Sequence, residues 1–261
     1  MQPLSRAPLD AFDSVRFVLT DMDDTLTYRG RIASATIGAI ERLQASGIRV
    51  IPVTAAPAGW CDQMARMWPV DGVIAENGGL FIHRSAHGAE RLHWHSEGDL
   101  DIARARLREV AAVIERVLPE ARLADDQPYR LDSLAYRRAG DRAEQRLVST
   151  LAEAGARTTI NSLWVLGWWG DYDKLAMSQR ILSDVFGVSG PEAIEQVAYA
   201  GDSLNDAPMF AHFKYTAGVS TVVDCLPQLP KAPTWVTRGP GGAGFVEFAD
   251  AILKGQAGVA V

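Results

Sequence analysis

The sequence predicts a doubly wound α/β fold, a parallel sheet with helices on both faces, interrupted by an inserted α+β unit. Three observations carry this reading. Apolar runs at 17–19, 48–53, 73–75 and 197–200 are short enough for strands, and each ends in polar residues. Amphipathic stretches separate them, the alternation expected of a parallel sheet. Between about residues 83 and 170 the alternation stops, and after that stretch it resumes. The expected division is a core of residues 1–82 and 171–261 and an inserted unit of residues 83–170.

The elements follow in order. Phe17-Val18-Leu19 reads as a buried strand and runs into Asp21-Met22-Asp23-Asp24-Thr25-Leu26-Thr27. Ser34 is expected at a helix N-cap, with Ile37, Ile40 and Leu43 at helical spacing and Gly47 closing the helix. The strand at 48–53 ends at Thr54, and 73–75 ends in Glu76-Asn77-Gly78-Gly79. Residues 81–98 carry four of the five histidines and no clear period. Residues 100–118 predict a helix with Leu100, Ala103, Leu107, Val110, Ile114 and Val117 on one face. A strand is expected at 131–136 and a second helix at 141–154, ended by Gly155; 158–168, rich in β-branched and aromatic residues, suggests a strand or hairpin. Lys174 opens a helix with Leu175, Ile181, Leu182 and Val185 on its apolar stripe. The strand at 197–200 is followed by Gly201-Asp202-Ser203-Leu204-Asn205-Asp206 and by a short helix with Pro208 in its first turn. Short strands are expected at 215–219 and 234–236, a glycine-rich connection at 239–244, and a last helix at 245–253.

Composition narrows the classes. With 48% apolar residues the chain can bury a sizeable core, and a formal net charge of -6 argues against nucleic acid or an anionic membrane as the main partner. No apolar run reaches the roughly 18 residues of a membrane span. The N-terminal stretch has no continuous apolar segment, so no signal peptide is expected. Cys61 and Cys225, far apart, suit a reduced cytoplasmic chain better than a disulfide scaffold.

The chemistry gathers at strand ends. Asp21 and Asp23 alternate and so point roughly the same way. Two carboxylates that close repel one another and call for a cation, a shared proton or an open loop. Alone they read equally well as a polar turn. Thr54, Lys174 and Gly201 to Asp206 join them at strand ends or helix starts of the same sheet, where ligands of open α/β sheets bind. A carboxylate can attack phosphorus, Mg²⁺ takes oxygen ligands, and a lysine and a hydroxyl can hold phosphoryl oxygens.

Together these stretches resemble the four motifs of the haloacid dehalogenase (HAD) superfamily of phosphatases, a match covering about two thirds of the chain. The insert and Glu76-Asn77-Gly78-Gly79 resemble the Cof-like branch with its α/β cap. Gly201 to Phe210 and the late Gly-Gly-Ala-Gly-Phe-Val-Glu-Phe look most like its sucrose-phosphate and mannosyl-3-phosphoglycerate phosphatases. The resemblance implies a Rossmann-like core and a set of roles. Asp21 is the nucleophile. Asp23 is the acid and then the base, and its backbone carbonyl binds Mg²⁺ with Asp21 and Asp202. Thr54 and Lys174 hold the phosphoryl group, Asn205 and Asp206 order metal waters and the lysine, and Thr25 pins the loop. One departure stands out: many relatives follow the threonine with Gly-Arg, whereas Thr54 precedes Ala55-Ala56-Pro57.

The implied function is Mg²⁺-dependent hydrolysis of a small phosphorylated molecule, a sugar phosphate or phosphorylated sugar-glycerate, through an aspartyl-phosphate. The rivals are a phosphomutase and a non-catalytic phosphosugar-binding protein on the same fold. Within the insert, Asp126, Tyr129 and Arg130 are polar candidates for substrate, and Asp132 shares their loop. Trp164 and Trp169 are candidates for stacking on a sugar ring, and equally for core. His93 and His95 could ligate metal, but no pattern completes a site. The run Gly239 to Gly244 lacks the ending of a P-loop.

Overall fold

The computed structural model describes residues 1–161 and 163–257. The first part of the chain forms β1 (Gln2–Pro3), β2 (Phe17–Thr20), the hairpin β3 (Thr27–Tyr28) and β4 (Arg31–Ile32), α1 (Ser34–Ala45), β5 (Arg49–Pro52), α2 (Ala58–Met67) and β6 (Val73–Ala75). Then come β7 (Leu80–Ser85), β8 (Gly88–His93), α3 (Glu97–Val117), β9 (Ser133–Arg137), α4 (Asp141–Glu153), β10 (Arg157–Ile160) and β11 (Trp164–Trp168). The last part is α5 (Lys174–Asp184), α6 (Gly190–Gln196), β12 (Val197–Gly201), α7 (Ala207–His212), β13 (Tyr215–Gly218), β14 (Trp235–Val236) and α8 (Gly241–Ala257).

Six strands make one parallel sheet in the order β1-β14-β13-β12-β2-β5. An isolated parallel bridge between Val53 and Ile74 sets β6 beside β5. Alternate residues go to opposite faces, which is why these strands read as unbroken apolar runs. Val18, Val50 and Ala198 join one apolar cluster, and Phe17, Leu19, Ile51 and Tyr199 join the other. From β2 the chain winds to β5 on one side and returns, much later, to β12 on the other. The crevice beyond β2 and β12 is therefore a topological switch point, the place where open α/β sheets bind ligands.

The hairpin β7–β8 occupies the stretch that showed no period. It pairs antiparallel with β6, and its Leu80, Phe81 and Ile82 are buried in the two main clusters. A separate antiparallel sheet, ordered β10-β11-β9, carries α3 and α4 over a cluster of Leu107, Val110, Ile114, Leu147, Leu151 and Val165. Residues 157–160 and 164–168 form two antiparallel strands rather than one, and residue 162 lies outside the described residues. Of the stripe expected on α3, Ala103, Leu107, Val110 and Ile114 are buried, whereas Val117, in the final turn, is exposed.

Two local expectations are corrected. Ser34 is the first helical residue, and Ala33, extended as it leaves the β3–β4 hairpin, holds the cap position without a side-chain bond. Residues 239–244 are not all connection: α8 begins at Gly241. A Cβ at Gly242 would stand 2.7 Å from the Leu26 carbonyl, so the missing side chain lets the helix start lie directly on the acidic loop. Helices α2 and α6 had no strong sequence signal: Pro57 and Ser189 hold their N-cap positions without a side-chain hydrogen bond. Among the described residues, no helix is long and apolar enough to cross a membrane.

Candidate active site

The register of β2 against β12 builds the centre of the site. Thr20 pairs with Ala200, and the Asp21 amide donates to the Ala200 carbonyl at 2.8 Å. Asp21 and Asp202 thus emerge side by side from strands far apart in sequence. Just past β2 the backbone turns sharply, with Asp24 at φ 56. The Met22 carbonyl accepts from the amides of Thr25, Leu26 and Thr27, which closes the loop on itself. The Thr25 hydroxyl donates to Asp202 Oδ1 at 3.2 Å and ties the two acidic stretches together.

Lys174, the first residue of α5, reaches into this centre with its side chain wholly buried. Its Nζ donates to Asp21 Oδ1 and to Asp206 Oδ1, both at 2.6 Å. Asp206 accepts as well from the Tyr199 hydroxyl at 2.5 Å and from the amides of Asp202 and Ser203 at 3.0 and 3.1 Å. Gly201 makes that fold-back possible, because a Cβ there would lie 2.5 Å from Asp206 Oδ2. Asn205 sits on the same turn, its Oδ1 accepting from the Ser203 hydroxyl at 2.7 Å.

Thr54 is fully buried past the end of β5. Its Oγ1 accepts from the Ala56 amide at 3.0 Å, which leaves the hydroxyl proton free to donate elsewhere. The neighbouring turn is strained: Glu76 and Asn77 both adopt left-handed backbone, at φ 51 and 60. The Asn77 amide donates to the Thr54 carbonyl at 2.9 Å, and its buried Oδ1 has no partner among the described residues.

The electrostatics are those of an anionic cluster that Lys174 compensates only in part. Burial pushes the Asp21 carboxyl up to about 6, even against the pull of Lys174. Burial, with Asp21 close by, pushes Asp23 up to about 7. Burial, with Asp21 and Asp206 beside it, pushes Asp202 up to about 9. For Lys174, burial works against the charged form, yet Asp206 and Asp21 hold its ammonium above the usual range. Oxygen atoms of Asp21, Asp202 and Asp206 lie within 4.8 Å of one another, with a single lysine to offset them. Asp206 is already saturated by Lys174, Tyr199 and two amides, so Asp21 and Asp202 are the carboxylates free to hold a cation. A hard divalent ion suits such an all-oxygen donor set.

A cleft of about 660 Å³ opens beside Asp202, lined from the core by Asp24, Tyr28, Arg29 and Gln228 and from the inserted unit by Arg138 and Asn161. Arg138 is held there by a two-pronged ion pair with Glu144, at 2.9 Å on each arm, and donates to the Asn161 carbonyl at 3.1 Å. Neither Arg29 nor Arg138 stood out in the sequence. The available signal was a pair of arginines, 137 and 138, just past an expected strand end.

The other candidates of the insert are not among the residues that line this cleft. Asp126 and Arg130 form a buried ion pair at 2.8 Å. Tyr129 is exposed and stands over Gly59 at the start of α2. Trp164 packs with Ala55, Leu166 and Trp168, and Trp169 packs against Gly155 under the guanidinium of Arg106. His93 Nδ1 pairs with Asp132 at 2.7 Å, and His95 Nε2 meets the Trp169 carbonyl at 2.8 Å; the two do not converge on one point.

Comparison with known proteins agrees with this geometry. Residues 18–94 match the family of haloacid dehalogenase-like hydrolases. The chain is 29% identical over 245 residues to a phosphoglycolate phosphatase of Pyrobaculum neutrophilum, covering 93% of this chain and 97% of that one. Among solved structures, a Thermoplasma acidophilum protein superposes with a TM-score of 0.72 at 17% identity, over 92% of this chain and 99% of that one. The sucrose-phosphatase of Synechocystis, solved with sucrose and phosphate, gives 0.67 at 14% identity, over 92% and 98%.

Proposed function

We infer that this chain is a phosphatase of the haloacid dehalogenase-like hydrolases and that it cleaves a small phosphate monoester in a Mg²⁺-dependent reaction through an aspartyl-phosphate. The observation that carries this reading is the meeting of Asp21, Lys174, Asp202 and Asp206, from three separate stretches of sequence, at one buried point. An Asp21 oxygen attacks phosphorus and the ester oxygen departs, taking a proton from Asp23. Asp23 then removes a proton from water, which attacks the same phosphorus, releases inorganic phosphate and restores Asp21. Lys174 and the Thr54 hydroxyl hold the phosphoryl oxygens. Asp21, Asp202 and the Asp23 carbonyl are the oxygens assigned to Mg²⁺, which when bound neutralises charge on the phosphoryl group. Asn205 and Asp206 support that arrangement, and Thr25 pins the loop.

The part of residues 83–170 that lies beyond the β7–β8 hairpin acts as the cap that selects the leaving group. Arg29 and Arg138 line the cleft beside Asp24, Asp202 and Asp224, and with the similarity to a phosphoglycolate phosphatase they favour a substrate whose leaving alcohol carries an acid group, the class to which phosphoglycolate belongs. The volume of about 660 Å³ favours a second reading as well, since it admits a phosphorylated sugar. The test is phosphate release from phosphoglycolate, phosphorylated sugars, phosphorylated sugar-glycerates and p-nitrophenyl phosphate, each with Mg²⁺ or with excess EDTA. The expected result is release only with Mg²⁺, with phosphoglycolate leading. Full turnover in EDTA overturns the metal assignment. Transfer of phosphate to a second sugar in place of release would make the protein a mutase.

A further inference from the structure

We propose that Arg130 and Glu76 form a buried latch by which the inserted unit positions the Thr54 loop, so that the unit is anchored to the core along this edge and does not swing open there.

The latch has two halves. Glu76, at the end of β6, is 1% exposed and accepts four hydrogen bonds. One comes from the core, the Ala58 amide at 3.0 Å; three come from the insert, the Leu131 amide at 2.7 Å, the Asp132 amide at 2.9 Å and the Ser133 hydroxyl at 2.6 Å. Arg130 supplies the other half. Its Nε and Nη2 grip Asp126 at 3.0 and 2.8 Å, and its Nη1 donates across the boundary to the Ala55 carbonyl at 2.9 Å. Its side chain has no exposure, so this guanidinium is committed to protein acceptors.

Both halves act on the same short turn. Ala55 lies between Thr54 and Ala56, and the Ala56 amide holds the Thr54 hydroxyl oxygen at 3.0 Å. The Ala56 carbonyl in turn accepts from the Glu76 amide at 3.0 Å. Arg130 therefore fixes one peptide of the turn and Glu76 another, and the left-handed backbone at Glu76 and Asn77 persists because the surroundings over-determine it. Tyr172 adds a tie from the return connection, donating to the Asp132 carbonyl at 3.0 Å. Opening this edge would strip the buried Glu76 carboxylate of three of its four donors and take the Ala55 acceptor from Arg130 Nη1, which is expensive for each. The opposite edge, at the cleft lined by Arg138 of the insert and Arg29 of the core, carries no such hydrogen-bonded staple among the described residues.

The proposal rests on the phosphoryl-binding role assigned to Thr54, and two readouts separate the failure of one from the failure of the other. The first is amide hydrogen exchange on the wild type. Leu131 and Asp132, held by Glu76, should exchange as slowly as Ala58. Exchange on the order of 100-fold faster at Leu131 and Asp132 would show the latch open and overturn it, whatever the protein hydrolyses. The second is calorimetric titration of Arg130→Met and Arg130→Lys with inorganic phosphate. Loss of one charge-assisted bond on the turn should weaken phosphate by about tenfold in Arg130→Met, and Arg130→Lys, which keeps a donor for Ala55, should recover part of it. A purely structural arginine would lower the melting point and leave phosphate affinity within twofold, and that result also overturns the proposal. If Arg130→Met does not fold, the lysine variant is read against the wild type in the same way. A wild type that binds no phosphate refutes the role of Thr54 and leaves the exchange result to judge the latch.

Discussion

Lys174 Nζ donates to Asp206 Oδ1 at 2.6 Å with both side chains fully buried, and the same ammonium faces Asp21. The pair joins the start of α5 to the turn after β12 and neutralises part of the cluster. Lys174→Met should abolish turnover and, by leaving two buried carboxylates uncompensated, cost about 3–5 kcal/mol in urea unfolding. The double variant Lys174→Met/Asp206→Leu should regain much of that stability without regaining activity. Equal stability of Lys174→Met and the wild type would contradict the pairing.

Asp23 and Asp21 should fail in different ways. Asp21→Asn removes the attacking oxygen, so no covalent phosphoenzyme should accumulate on rapid acid quench. Asp23→Asn keeps the nucleophile and loses the proton donor, a deficit of about 10²–10⁴ in kcat. That deficit should shrink for esters with a good leaving group such as p-nitrophenol. An equal loss for good and poor leaving groups would remove Asp23 from the acid role.

Glu76 yields a pH dependence with a definite sign. Burial is the largest influence on it and pushes its carboxyl above the usual 4.5, although Ser133, Leu131 and Arg130 pull the other way. The folded protein then holds this proton more tightly than the unfolded chain does. Its contribution to stability is greatest below 4.5 and falls as pH rises through the folded value. Glu76→Gln does not titrate, so the stability advantage of the wild type over this variant should narrow between pH 4.5 and neutrality. Unfolding free energies of both proteins across that range decide it, and an advantage that widens with pH would reverse the assignment.

Arg138 tests the acidic-substrate reading. Arg138→Ala should raise KM for phosphoglycolate by about 10–100-fold, the loss of one charge-assisted contact. Hydrolysis of p-nitrophenyl phosphate, which lacks the acid group, should change little. A parallel fall for both esters, with the fold intact, would show that Arg138 does not read the leaving group.

Much of the architecture was legible because each signal was local. A strand buried on both faces leaves an unbroken apolar run, as at Phe17 to Leu19, and a helix on a sheet leaves a stripe, as on α3. The acidic stretches could be read at strand ends for the same reason. The β3–β4 and β7–β8 hairpins left weaker traces. Both strands of β3–β4 are only two residues long, and β8 is largely solvent-facing, so neither hairpin needs a clean alternation.

By itself the sequence determined which residues could do chemistry: the carboxylates at 21, 23, 202 and 206, the threonine at 54 and the lysine at 174, each at the edge of a short apolar or helical stretch. The tertiary structure alone decided which of them meet and what the insert contributes. Asp21 stands beside Asp202 because β2 and β12 are paired in one particular register, a contact across about 180 residues that no local pattern encodes. Arg130 reads in the sequence as a polar loop residue open to substrate, yet it is buried on the Ala55 carbonyl, while Arg138, with no special signal, lines the cleft. The physical reason is common to both cases. Burial and pairing of a charge depend on what the rest of the chain brings against it, and that is set by packing between distant segments and not by the residues on either side.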